Sequence, residues 1–136
     1  MSEQFIAYCV NVLDLRNASL SNEFYYQSLP LCVIDSVFSI NVRYTSVKNV
    51  IKRYCRHYEL LLFRSISSNY PSIESQHTIS QLFKNMKKYD AEYFASSVFQ
   101  NNCRTSLRAG ILKAEAVYLW ARNRYNMELF SHVKWW

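Results

Sequence analysis

The sequence predicts an all-α fold, a single compact domain of about six helices over residues 1–136. Three observations carry that prediction. The chain has 136 residues, a single-domain length that supports one hydrophobic core without disulfide or metal staples. It holds one glycine and two prolines, where an average chain of this size has about nine or ten glycines at ~7% usage. Tight hairpins and phosphate-cradling loops need glycine to reach positive φ, so a hairpin-rich sheet is disfavoured, and a P-loop or a dinucleotide fingerprint is excluded. Third, apolar residues recur at helical spacing through most of the chain.

Taken in order, Phe5, Ile6, Cys9, Val10 and Leu13 form an amphipathic stripe, and 17–22 reads as a polar loop. Phe24, Tyr25 and Tyr26 are expected to pack. Pro30 suits a first helical turn, where its missing N–H costs nothing. Leu31, Val33, Ile34, Val37, Phe38 and Ile40 then make a helix apolar on most sides, hence a central one. Asp35 lies beside Leu31 and Phe38 on that helix, and is expected to be a structural carboxylate tying down a neighbouring backbone or an arginine. Thr45 or Ser46 is the expected cap of the next helix. Its buried stripe is Val47, Val50, Ile51, Tyr54, Cys55 and Tyr58, while Lys48, Lys52, Arg53, Arg56 and His57 occupy the rest. Glu59–Ser65 continues this helix or forms a second short one. Residues 66–77 are loop-like, with Pro71 holding Tyr70 extended. Ile79, Leu82, Phe83 and Met86 mark a helix over Thr78–Lys88. Asp90 caps another that turns Phe94, Val98 and Phe99 inward and ends at 101–103. The last helix carries Leu107, Ile111, Ala114, Tyr118, Ala121 and Tyr125 on one face, with Lys113, Arg122 and Arg124 off it. Gly110, early in that helix, is expected where another backbone packs close.

Charge is the most informative functional signal. The net charge is +6, and it is polarised. Residues 1–42 hold one base and four acids; residues 43–136 hold fifteen bases and six acids. Such asymmetry points to a polyanion or an acidic protein as partner for the second part. The candidate phosphate contacts are Lys48, Lys52, Arg53 and Arg56 on one helix, Lys84, Lys87 and Lys88 at a helix end, and Arg104, Arg108 and Lys113 around the start of the last helix. Arg104-Thr105-Ser106 before that helix would also present backbone N–H groups to a phosphate. Eleven tyrosines offer stacking surfaces for unpaired bases, although most are expected in the core.

Other chemistries find little support. The four cysteines (9, 32, 55 and 103) form no CxxC pair, and no histidine lies three to five residues from another. Neither a metal site nor a cofactor is expected. Buried thiols are the expected reading, and disulfides are not, because the N-terminus lacks the basic n-region and the cleavage pattern of a signal peptide. Asn17-Ala-Ser19 therefore has no weight as a sequon. No apolar run approaches the ~18–20 residues of a membrane span. Cys55 and His57 lie on different faces of their helix and cannot pair, and the acids are too sparse for a recognisable carboxylate pair.

Two stretches, LPLCVIDSVFSINVRYTSVKNVIKRYC (29–55) and NNCRTSLRAGILKAEAVYLWARNRY (101–125), resemble the N-terminal helical part of proteins similar to the helix-hairpin-helix DNA glycosylase superfamily. That part has a PLCVIDAVFS-like helix, a helix ending near RYC, a loop, and then a stretch like RTS…GILKAEAV. The resemblance implies the helical scaffold and an association with DNA. The superfamily's LPGVG-like hairpin and the later catalytic aspartate have no counterpart before Trp136, and Asp35 is not at the catalytic position. No base excision is implied.

The expected function is a non-catalytic, cytoplasmic domain that binds DNA, or a DNA-processing partner, through a basic surface. The partner is nucleic acid or an acidic protein that mimics or processes it, and a homodimer is compatible with the sequence. The rival expectation is a protein-interaction module: an inhibitor, immunity protein or small subunit acting on a nucleic-acid enzyme, for example from a mobile element. For that reading Trp135 and Trp136 are the partner-binding candidates.

Overall fold

A computed structural model of the chain describes residues 3–14, 17, 21, 25–64, 74 and 76–131. The fold is all-α, with six helices among those residues: α1 (Glu3–Val12), α2 (Leu29–Phe38), α3 (Tyr44–His57), α4 (Ile79–Lys88), α5 (Ala91–Tyr93) and α6 (Lys113–Ser131). Phe24, most of the 66–77 loop and both terminal tryptophans lie outside the described residues.

The core gathers around α2. Pro30, Leu31, Val33, Ile34 and Phe38 are buried along it. Against them pack α3, through Val47, Val50, Ile51, Tyr54 and Cys55, and α6, through Ala114, Val117 and Ala121. Ala114 and Ala121, both fully buried, keep that side of α6 narrow against α2. The α4 helix lies along α6 and presents Ile79, Leu82, Phe83 and Met86. Aromatic rings fill the space between. Phe38 meets Phe99 edge-on at 5.0 Å, and Tyr54 stacks on Phe99 at 5.8 Å. By contrast Ile6 and Leu13 of the stripe expected around α1 are largely exposed, and Cys9 and Val10 are only half-buried.

Capping explains several boundaries. Thr78 and Gln81 form a reciprocal box: the Thr78 hydroxyl accepts from the Gln81 N–H at 3.2 Å, and the Gln81 carbonyl accepts from the Thr78 N–H at 2.7 Å. Asp90 accepts from the Tyr93 N–H at 2.6 Å, as expected of an N-cap. The α5 helix widens at once into a π-helical turn, Phe94–Val98, in which the Phe99 N–H reaches the Phe94 carbonyl at 2.8 Å. The α3 helix begins at Tyr44 with Arg43 as N-cap, so neither Thr45 nor Ser46 caps it.

With one glycine in the chain, helix ends are closed by other means. Asp14, Asn41, Glu59 and Gln100 adopt positive φ (47°, 54°, 54° and 48°) just past α1, α2, α3 and the π-helical turn, positions where glycine is usual. Long cations reach two of the same ends from elsewhere in the chain. Arg53 donates to the carbonyls of Phe99 and Gln100 at 3.1 and 3.2 Å. The Lys113 ammonium donates to the carbonyls of Phe38, at 3.0 Å, and Ile40.

Two expectations about the chain path are corrected. Residues 60–64 are extended, not helical. Gln27 N–H donates to the Leu62 carbonyl and Arg64 N–H to the Tyr25 carbonyl, each at 3.1 Å, with Tyr26 and Phe63 paired antiparallel between them. The last helix starts at Lys113 instead of Leu107, and residues 104–112 form a closed loop. Thr105 N–H donates to the Ile111 carbonyl at 2.9 Å, Lys113 N–H to the Cys103 carbonyl at 2.9 Å, and Arg104 to the Gly110 carbonyl at 2.9 Å. Leu107 is fully exposed at its tip. A Cβ on Gly110 would sit 2.1 Å from the Ser106 amide nitrogen. The expected close backbone is therefore that of its own loop.

Candidate nucleic-acid interface

The α3 helix carries five bases and no acid. At 100° per residue, Lys48, Lys52 and Arg56 fall within an arc of about 80°. Lys52 and Arg56 are exposed and Lys48 is half-buried. Tyr54 leaves the opposite side of the helix, where its hydroxyl meets His77 Nε2 at 2.7 Å and bonds the Asn85 side chain of α4. Both phenol and imidazole feel their enclosure: burial raises the Tyr54 pKa and lowers that of His77. The cationic side of α3 thus faces away from α4.

That orientation divides the ten candidate bases. Lys84, Lys87 and Lys88 are exposed on α4, which α3 addresses with its core side, so they do not extend the α3 stripe. Lys87 lies 6.0 Å above the Phe83 ring and Lys88 5.3 Å above Tyr89. Arg108 is exposed near the loop tip. Arg53, Arg104 and Lys113 are engaged with carbonyls, as described above. For Lys113 the expectation of a phosphate contact is corrected outright: its side chain is 1% exposed, and burial lowers its pKa. It enters beneath the end of α2, where carbonyls without helical donors await a cation. The Arg104-Thr105-Ser106 anion site is also corrected, since no helix starts there and the Thr105 N–H is already bonded within the loop.

Beside the α3 stripe lies a cleft of about 200 Å³ lined by Tyr26, Lys48, Ile51, Lys52, Leu62 and Phe63. Tyr26 and Phe63 form its aromatic wall, with ring planes 12° apart and centroids 5.8 Å apart. Asp35 sets this wall. Its carboxylate accepts from the Tyr26 hydroxyl at 2.7 Å and from the Ser39 hydroxyl at 2.9 Å. Burial, then the bond to Asp35, raises the Tyr26 pKa. The expected structural role of Asp35 agrees with this geometry, although it holds hydroxyls and not a backbone or an arginine. The cleft was missed in sequence because LLLF at 60–63 was read at helical period. In the structure burial alternates along it, Leu60 and Leu62 half-buried and Leu61 and Phe63 exposed, but four consecutive apolar residues carry no such alternation in the sequence.

Two of the four thiols are held in their protonated form. Burial raises the Cys55 pKa to about 11, and burial with the nearby Asp35 charge raises that of Cys32. Only Cys55 is buried. Cys32 and Cys103 are exposed and Cys9 is half-buried, which corrects the expectation of four buried thiols. All four are free. Among the described residues no three His, Cys, Asp or Glu side chains converge as metal ligands, and no helix is long and apolar enough to cross a membrane.

Comparison with known proteins matches residues 3–131 to the family described as "Domain of unknown function (DUF8548)". No curated protein and no solved structure matches the chain. Because the family match takes in all six helices and the α3 cleft, this chain belongs to the DUF8548 family.

Proposed function

We propose that this domain binds nucleic acid through the outward side of α3, in the cytoplasm, and performs no chemistry itself. The observation that carries the reading is the acid-free stripe of Lys48, Lys52 and Arg56 on that helix. A row of cations four residues apart repeats every ~6 Å along a helix, close to the spacing of successive phosphates on an extended strand, and gains affinity by releasing counterions. Burial raises the thiol pKa of both Cys32 and Cys55, which disfavours those two as nucleophiles. The resemblance of 29–55 to a DNA-associated scaffold points the same way, and that stretch contains most of α3.

The test is a salt titration of binding, with Lys52→Glu/Arg56→Glu as the variant. Three phosphate contacts give a log–log slope of about −2 to −3. The double variant loses measurable binding, whereas Lys84→Glu/Lys87→Glu retains most of it. Equal loss from both variants would remove α3 from its proposed role. A protein-interaction module is the second reading, favoured by the exposed apolar residues gathered on and just after α1, namely Ile6, Tyr8, Val12 and Leu13. It predicts a complex of fixed stoichiometry with weak salt dependence.

A further inference from the structure

The cleft beside α3 has a shape that a merely cationic helix does not need. At about 200 Å³ it falls below the ~300–1,000 Å³ of sites for drug-sized ligands, so it suits one flat ring system. Its wall is aromatic and its rim carries Lys48 and Lys52. The Phe63 side is open: the residue is 38% exposed. The wall is also held in place before any ligand arrives. Tyr26 is fixed by Asp35 at 2.7 Å and by a bond to Tyr44. Phe63 is fixed by the flanking Gln27–Leu62 and Arg64–Tyr25 backbone bonds.

We infer that the cleft takes one unpaired base of a single-stranded nucleic acid, packed against Phe63 and Tyr26, with the flanking phosphates on Lys48, Lys52 and Arg56. This rests on the reading of α3 given above and narrows it. A base inside a duplex is stacked on both faces and cannot enter. A strand with splayed bases gains stacking and charge neutralisation together, the combination that distinguishes single-strand binders. Asp35 is then a positioning residue: it touches no ligand and orients the ring that does.

The experiment compares a short oligodeoxyuridylate, the oligouridylate of the same length and a duplex of equal length, by fluorescence anisotropy with the full chain. The variants are Phe63→Leu, which keeps apolar volume without a ring, and Phe63→Tyr, which keeps the ring. The expected result is tighter binding of both single strands than of duplex. Phe63→Leu weakens single-strand binding by about 5- to 150-fold, the range for losing one stacked aromatic. It leaves duplex binding unchanged, and Phe63→Tyr restores the preference. A difference between the two single strands reports whether the sugar is deoxyribose or ribose. Equal affinity for duplex and single strand, unchanged in Phe63→Leu, overturns the base-in-cleft inference while the α3 reading stands. Failure of all three nucleic acids to bind overturns both.

Discussion

Replacing Lys113 by methionine tests how this nearly glycine-free chain closes its helices. The lysine is 1% exposed, and its ammonium donates to the Phe38 and Ile40 carbonyls at the end of α2. Methionine keeps most of the apolar stem and removes both donors. A buried carbonyl left without a partner costs about 1–3 kcal/mol. The Phe38 residue is 1% exposed, so its carbonyl bears that cost in full. Ile40 is 43% exposed, so water replaces much of its lost bond. Removing the ammonium also removes its desolvation penalty, which offsets part of the loss. The expected net destabilisation is about 2 kcal/mol, or a fall in Tm of roughly 6–10 °C for a domain of this size. Urea and thermal denaturation followed by circular dichroism measure it, with Lys113→Arg as the variant that keeps the charge. A Lys113→Met protein as stable as the wild type would mean that burial of the charge costs as much as its two bonds return. The capping argument would then fail.

Three further outcomes follow from the same geometry. Gly110→Ala places a methyl 2.1 Å from the Ser106 nitrogen, so the 104–112 loop has to open; a thermal melt should show a loss of about 1–3 kcal/mol, comparable to overpacking elsewhere. Gln100→Gly relieves a positive φ at an exposed helix end and should stabilise by roughly 0.5 kcal/mol, since relief of about 1 kcal/mol exceeds the entropy glycine loses on folding; a lower urea midpoint would contradict it. Burial lowers the His77 pKa below the ordinary 6.5, so the folded protein binds a proton less readily than the unfolded chain. Its contribution to stability is therefore complete above pH 6.5 and lost as pH falls through the folded value; the urea midpoint should drop between pH 7.5 and 5, and His77→Gln should flatten that slope.

The parts of this fold that could be read in the sequence are those fixed by local rules. The apolar spacing at 31–38, 47–55 and 79–86 repeats at the helical period, and those residues form the core. Thr78 and Asp90 cap because capping needs only a short polar side chain three residues from an amide. Lys113 was unreadable for the opposite reason: its partners lie seventy-three and seventy-five residues away, and nothing on its own helix marks it as buried. The same holds for Arg53 and the end of the π-helical turn. Counting positive charge gave the right total and the wrong allocation, because helix ends without glycine compete with the surface for cations. The LLLF run failed differently. Four consecutive apolar residues fit both periods, and only pairing with Tyr25–Gln27, distant in sequence, decides between them.

The loop between residues 104 and 112 is zipped at its neck by Arg104, Thr105, Ile111 and Leu112, while Leu107 and Arg108 project into solvent. A loop tied at its base transmits little of its length to the rest of the chain, and lengthening a flexible tip costs only ~0.6 kcal/mol per doubling. The 107–108 junction is thus a natural splice point for a reporter peptide or a fluorophore, placed where it leaves the helices and the α3 cleft in register.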